Sequence, residues 1–371
     1  MNLEPDAERA NPLNRIIDAT LQRAGGWLPF DRFMALALYS PGLGYYANAS
    51  AKFGQMPSSG SDFVTAPELS PLFGQSLAVA VEDALVHTGT KEVWEFGAGS
   101  GALAKQLLEA LGDRIQSYTI VDLSGTLRER QQQALAPWGG KVRWLSELPD
   151  TMQGVVVGNE VLDAMPVKLL ARKGGDDGGQ WFERGVVRGP DGLLRYADQP
   201  TELRPPVEIE GAHDYLTEIH PQAQAFVATL ADRLARGAVF LLDYGFPEAE
   251  YYHPQRHMGT VMCHEGHKAD GNPLVQVGAK DITAHVDFTG VALAGQEAGL
   301  AVLGYCNQAR FLINCGLVAR LEHANVQQRA MAARLIHEHE MGELFKVIGF
   351  CAGVEPWDAV GFAAGDRSHT L

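Results

Sequence analysis

The sequence predicts an α/β fold, a parallel sheet with helices on both faces, and three observations carry that expectation. "VWEFGAGSGALAKQLLEAL" (93–111) reads as a buried strand, a glycine turn and an amphipathic helix in succession. Strand and helix patterns then alternate as far as "GVVVGN" (154–159), the rhythm of βαβ units. From 167 to 197 the pattern changes to apolar–polar alternation around glycine-rich and Asp-Gly turns, which predicts an antiparallel insertion. At 371 residues the chain suits one large α/β domain with additions, or two joined domains.

In chain order, residues 12–46 are helical and aromatic and end in the turn-forming "YSPGLGYY". The small, polar "ANASAKFGQMPSSGSDF" follows. "TAPELSPLFGQSLAVAVEDAL" opens with a capping box, Thr65 and Glu68, and continues as one helix. Strand 91–96 leads to helix 102–111, strand 117–122 to a helix from Ser124 to Ala136, and strands 142–145 and 154–159 come next. After the antiparallel insertion, Phe226, Leu230 and Leu234 line one face of a helix over 221–236 that stops at Gly237. "AVFLLDYG" is a buried strand, 246–290 a His-rich insertion, and "LFKVIGF" (344–350) a last strand among helices.

Composition narrows the functional classes. Lys and Arg number 30 against 45 Asp and Glu, a net charge of −15, which opposes nucleic acid and anionic membrane surfaces. No apolar run is long enough to span a bilayer, and the first 25 residues suit neither a secretory signal nor a transit peptide. Cys263, Cys306, Cys315 and Cys351 form no C-x-x-C pair and read as reduced thiols of a cytoplasmic protein.

The glycine turn is ambiguous taken alone. Gly97, Gly99 and Ala102 satisfy the dinucleotide pattern, while Gly97, Gly99 and Gly101 satisfy the G-x-G-x-G of S-adenosylmethionine (SAM) enzymes. Glu95, two positions ahead, favours SAM, because a carboxylate repels a pyrophosphate and attracts an ammonium group. Asp122 closes the next strand 23 residues beyond Gly99, close to the interval at which such folds place an acid on ribose hydroxyls. It supports a nucleoside without choosing between cofactors.

"GNEVLDAMPV" (158–167) ends a strand at the sheet edge where ligand crevices open. Asn159 can donate and accept there, and Glu160 and Asp163, three apart, would face one ligand if the turn is helical. Paired acids would grip a cationic acceptor such as a guanidinium. In the insertion, His253, His257, Cys263, His264, His267 and His285 are numerous enough for zinc. Pro254 splits the first pair and Cys263 has no neighbouring cysteine, so no metal is expected. His267 and His285 either line an acceptor cleft or are hydrogen-bonded core histidines. The aromatic residues Trp27, Phe30, Phe33, Tyr39, Tyr45 and Tyr46 either cover the cofactor or pack a core.

Together and in this order, "SGSDFVTAPELSPLFG" (59–74), "EFGAGSGALA" (95–104), "GNEVLDAMPV", "LLDYG" (241–245) and "DITAHVDF" (281–288) resemble the MidA family of SAM-dependent methyltransferases. The resemblance covers roughly residues 27 to 350. It implies a Rossmann-like methyltransferase core over 76–371, with insertions at about 167–200 and 246–290, preceded by an N-terminal helical cap and cofactor-bordering loop over 1–75. It further implies that Gly60, Asp62, Thr65, Glu95, Gly97, Gly99, Gly101, Asp122 and Asn159 surround SAM, and that Glu160, Asp163 and His267 serve catalysis. The family includes an assembly factor of a mitochondrial respiratory complex that methylates an arginine. A protein substrate, such as a respiratory-complex subunit, and a side-chain nitrogen acceptor, arginine favoured, are therefore expected. Two alternatives stay open: a non-catalytic SAM-binding assembly factor, and an NAD-dependent oxidoreductase, which Glu95 argues against.

Overall fold

The computed structural model describes residues 11–48, 65–122, 125–174, 179–266 and 268–371. Contacts divide the chain into two compact units, one comprising 51–162, 224–247 and 288–371, the other 1–50, 163–223 and 248–287.

The first unit is built on a sheet of β1 (Glu92–Phe96), β2 (Ser117–Val121), β3 (Val142–Leu145), β4 (Met152–Asn159), β5 (Leu234–Phe246), β6 (Ala301–Asn307) and β7 (Phe345–Ala352). Their order is β3-β2-β1-β4-β5-β7-β6. The first five run parallel, and β7 lies antiparallel to both β5 and β6. This departs from the dinucleotide-binding order 3-2-1-4-5-6, into which no reversed strand is inserted. Val155, Val156 and Val157 of β4 are all buried, as an inner parallel strand covered on both faces requires.

Helices α1 (Pro71–Thr88) and α2 (Ala102–Leu111) pack on this sheet, and α3 (Gly125–Ala134) follows β2. In α2, Leu103, Ala104, Leu107, Leu108 and Leu111 are buried, an i, i+3, i+4 stripe that joins Val93, Tyr118 and Phe240 of the sheet in one core. Each buried leucine contributes about 1.5–3 kcal/mol. The core therefore fixes the direction in which the strand ends, and the loops on them, point.

Two elements differ from expectation. The helix beginning after Thr65 stops at Leu69, and the Thr65 side chain makes no capping bond. Pro71 excludes the helical conformation from the residue before it, so Ser70 is extended (φ −154°) and itself caps α1 through Leu72 N. The helix expected to reach residue 236 ends at Arg233, and Gly237 lies within β5 beside Gly154. A Cβ at Gly237 would sit 1.9 Å from Gly154 O, so this glycine permits strand approach and does not stop a helix.

The second unit contains helices Pro12–Arg23 and Phe30–Tyr39 and an antiparallel sheet. Strands Trp27–Pro29, Gln180–Arg188, Lys168–Lys173 and Tyr215–Ile219 are adjacent in that order, and Leu194–Pro200 also pairs with 180–188. The pairing of Trp27–Pro29 with 185–187 attaches the N-terminal helices to the insertion. Part of the His-rich stretch forms a smaller sheet of Met262–Glu265 with Lys268–Asp270 and Asp281–Thr283. Phe30, Phe33 and Tyr45 are fully buried within this unit, which favours core packing for them. No described helix is long and apolar enough to cross a membrane.

Candidate active site

The parallel sheet offers its carboxyl edge, and the turn between β1 and α2 forms the floor there. Gly97 (φ 63°), Gly99 (φ 51°) and Gly101 (φ 84°) all adopt left-handed backbone, which a Cβ disfavours. Gly101 occupies the N-cap of α2 without any side-chain cap, so the helix N-terminus is bare backbone with its dipole directed outward. Below the turn, Gln106 of α2 donates to Pro67 O at 2.7 Å and accepts from Gly74 N at 2.9 Å. That bond pair ties the segment after half-buried Thr65 to the same helix.

Asp122 follows β2 and is oriented by a residue that the sequence reading did not single out. Fully buried Gln131 of α3 donates to Asp122 Oδ2 at 2.9 Å and to Gly99 O at 3.0 Å, and it accepts from Trp144 Nε1 at 3.0 Å. One amide thus connects the acid, the glycine turn and β3.

Glu95, one residue before the end of β1, is enclosed in the sheet. It is 2% exposed, on the sheet face that carries Tyr118, whose hydroxyl donates to Glu95 Oε2 at 2.6 Å. Burial raises its carboxyl to about 8, opposed by the Tyr118 bond and aided by the charge on Asp122. A largely neutral acid no longer repels a pyrophosphate at pH 7. Strand order, not Glu95, is what separates this sheet from a dinucleotide fold.

At the end of β4, Asn159 Nδ2 donates to Glu160 Oε1 at 3.0 Å, while the buried Asn159 Oδ1 has no hydrogen-bond partner among the described residues. Glu160 has φ 55°, one of two non-glycine residues with positive φ in the described chain. The turn is therefore not helical, contrary to the condition for a shared Glu160–Asp163 face. The next two backbone N–H groups, of Val161 and Leu162, donate to Asp243 Oδ2 at 3.1 and 2.8 Å. A Cβ built on Gly97 would lie 3.2 Å from Val161 Cγ2, so this turn packs directly on the glycine turn. The structure thus brings together Gly97, Gly99, Gly101, Asp122, Asn159 and Glu160 along one sheet edge.

Asp163 belongs to the other unit. There it is 5% exposed, and with Asp281 it raises the hydroxyl pKa values of Tyr39 and Tyr46, although burial of those hydroxyls is the larger cause. The two tyrosines stack at 5.7 Å, and the Tyr46 hydroxyl lies 2.9 Å from both Asp281 oxygens. In the same unit, buried His220 bonds the Tyr251 hydroxyl at 3.0 Å, which donates to Glu218 Oε2 at 2.9 Å. Burial, with a smaller effect from His285, lowers His220 to about 3. His285 N donates to Thr260 Oγ1 at 3.1 Å. Cys263 is buried and pushed up to about 12, chiefly by burial. Among the described residues no group of three or more His, Cys, Asp or Glu is placed to hold a metal ion. Gly60, Asp62 and His267 lie outside the described residues.

Sequence reading missed Gln131, Tyr118 and, as a residue with a role, Asp243. "LLDYG" marks the last as a buried acid in a strand, which is a usable signal; the other two have none, because each meets its partners on other elements of the sheet unit.

Comparison with known proteins places this edge in context. The family described as "Putative S-adenosyl-L-methionine-dependent methyltransferase" matches residues 76–306. A candidate methyl transferase from Burkholderia thailandensis, solved with S-adenosyl-homocysteine, is 47% identical over 100% of both chains with a TM-score of 0.92. The mitochondrial protein arginine methyltransferase NDUFAF7 homologue of Caenorhabditis elegans is 27% identical, over 90% of this chain and 84% of that one. The human mitochondrial protein arginine methyltransferase NDUFAF7 is 25% identical, over 92% and 84% respectively.

Proposed function

We propose, from the premise that this chain belongs to the family of S-adenosyl-L-methionine-dependent methyltransferases, that its methyl acceptor is the guanidinium of a protein arginine. SAM as cofactor and methyl transfer as reaction follow from the family and from the similar S-adenosyl-homocysteine complex. The residues present fit that cofactor: three left-handed glycines before a bare helix N-terminus, an acid held by Gln131, and a buried acceptor at Asn159 without a partner among the described residues.

SAM, when bound, supplies a methyl carbon activated by a sulfonium. The chain supplies position. Gly97, Gly99 and Gly101 let the cofactor approach backbone, and Asp122, kept in place by Gln131, accepts from ribose hydroxyls. Asn159 Oδ1 supplies an acceptor at the strand edge. Thr65 borders the same helix, and Gly60 and Asp62 belong to this shell by family resemblance.

The observation that carries the acceptor reading is the carboxylate of Glu160, held at the strand end beside the glycine turn. A guanidinium titrates above about 12, so removing its proton beforehand is costly at neutral pH. A carboxylate instead pairs with it, leaves one nitrogen richer in electrons, and would receive the proton that this nitrogen gives up on methylation. Asp163 and His267 keep a catalytic assignment by family resemblance alone. A net charge of −15 favours a basic acceptor segment. The names of the curated relatives agree with arginine, and affiliation to the MidA group and a cytoplasmic location are part of the same proposal.

The test is transfer from methyl-tritiated SAM into proteins of a lysate from cells lacking the gene, followed by hydrolysis and amino-acid analysis. The reading expects label in methylarginine. Label confined to methyl-lysine or methyl esters contradicts it, and absence of transfer despite S-adenosyl-homocysteine binding favours an assembly factor without catalysis.

A further inference from the structure

Glu160 holds a backbone conformation that side-chain-bearing residues seldom adopt, with φ 55°. Such a conformation persists only where its surroundings over-determine it. Glu160 N donates to Leu242 O at 2.9 Å, which continues the β4–β5 ladder by one residue. The two following N–H groups then converge on a single oxygen, Asp243 Oδ2. The other oxygen accepts from Tyr244 N at 3.0 Å, so backbone donors meet both sides of this 1%-exposed carboxylate. Val161, caught between these bonds, lies against Gly97 and also against Gly158, where a Cβ would be 3.4 Å from its Cγ2.

We propose that Asp243 is a positioning residue for methyl transfer: its buried carboxylate fixes the turn that holds Glu160 left-handed at the strand end and Val161 on the glycine turn. The proposal rests on Glu160 being the acceptor-side carboxylate. Asp243 touches no reacting atom; it acts through the backbone of the residues after Glu160. An asparagine there presents its NH2 to a backbone donor on one side or the other, so Asp243→Asn breaks at least one of the three bonds and removes the charge from the rest.

Two readouts test this. In the first, thermal midpoints are measured for wild type, Glu160→Gly, Asp243→Asn and the double variant. Glycine adopts left-handed backbone without steric cost, so Glu160→Gly should raise the midpoint in the wild-type background, and the gain should vanish with Asp243→Asn. An equal gain in both backgrounds overturns the proposal. In the second, S-adenosyl-homocysteine affinity and transfer from tritiated SAM into the gene-deleted lysate are compared. Asp243→Asn should bind S-adenosyl-homocysteine within about threefold of wild type, as expected for a group outside the cofactor shell. It should lose about tenfold or more in transfer. Combined with Glu160→Gln it should be no slower than Glu160→Gln alone. Multiplying losses overturn the coupling. Full activity of Glu160→Gln defeats the acceptor reading instead, and the thermal cycle still decides whether Asp243 imposes the turn. Asp243→Ser, shorter and still an acceptor, replaces Asp243→Asn if the latter does not fold.

Discussion

At the scale of single residues, Glu95 has the clearest titration signature. Its carboxyl rises from about 4.5 unfolded to about 8 folded because it is buried, so the folded chain holds a proton that the unfolded chain releases between those values. The stability this gives is complete below about pH 4.5 and is lost as pH rises through 8. Glu95→Gln keeps an acceptor for Tyr118 without the ionisation, and should unfold at a higher temperature than wild type at about pH 8.5 but not at about pH 4. Calorimetric scans at both pH values check this; an equal difference at both removes the cause assigned here. A cationic cofactor near Glu95 would lower that pKa again. S-adenosyl-homocysteine affinity should accordingly strengthen from about pH 6.5 to 8, by at most about tenfold per unit, with proton release. A pH-independent affinity would show that Glu95 stays neutral and supports the turn only from within the core.

Among elements, α3 makes the less obvious contribution, through Gln131. Gln131→Leu conserves bulk but releases Asp122, Gly99 O and Trp144 together. It should weaken S-adenosyl-homocysteine about tenfold, ~1.4 kcal/mol, in a titration, with the circular dichroism spectrum retained. Unchanged affinity would remove Asp122 from the cofactor shell. What the sequence revealed at this scale follows from the range of the forces involved. The strand, glycine turn and helix of 93–111 were legible because periodicity and glycine conformation are local. The break at Ser70–Pro71 was also local, yet the apparent capping box at Thr65 and Glu68 masked it. Gly237 read as a helix stop because its true requirement, approach to Gly154 O, comes from a strand 83 residues earlier. The same holds for Glu95: its acid was visible, but not the Tyr118 hydroxyl that donates to it inside the sheet. The left-handed turn at Glu160 was illegible for a similar reason, since the carboxylate that holds it is on β5.

For the whole molecule, the chain leaves the parallel-sheet unit and re-enters it twice, and the acidic net charge belongs to both units together. Because Pro254 splits His253 from His257 and Cys263 has no neighbouring cysteine, methyl transfer is expected to be unchanged by a chelator such as EDTA. Loss of transfer on chelation, restored by zinc, would point to ligands outside those described. The central claim is that the sheet edge separates two tasks, with the glycine turn and Asp122 holding the cofactor and Glu160 holding the acceptor. The most direct measurement is a pair of assays on Glu160→Gln: calorimetric affinity for S-adenosyl-homocysteine, and methylarginine formed from tritiated SAM. Glutamine keeps the size of the side chain and removes its charge, and one charge-assisted bond is worth about 1.5–3 kcal/mol, roughly 10- to 150-fold. The account predicts affinity within a few-fold of wild type and transfer reduced by that factor. Lost cofactor affinity, or undiminished methylarginine, would contradict it.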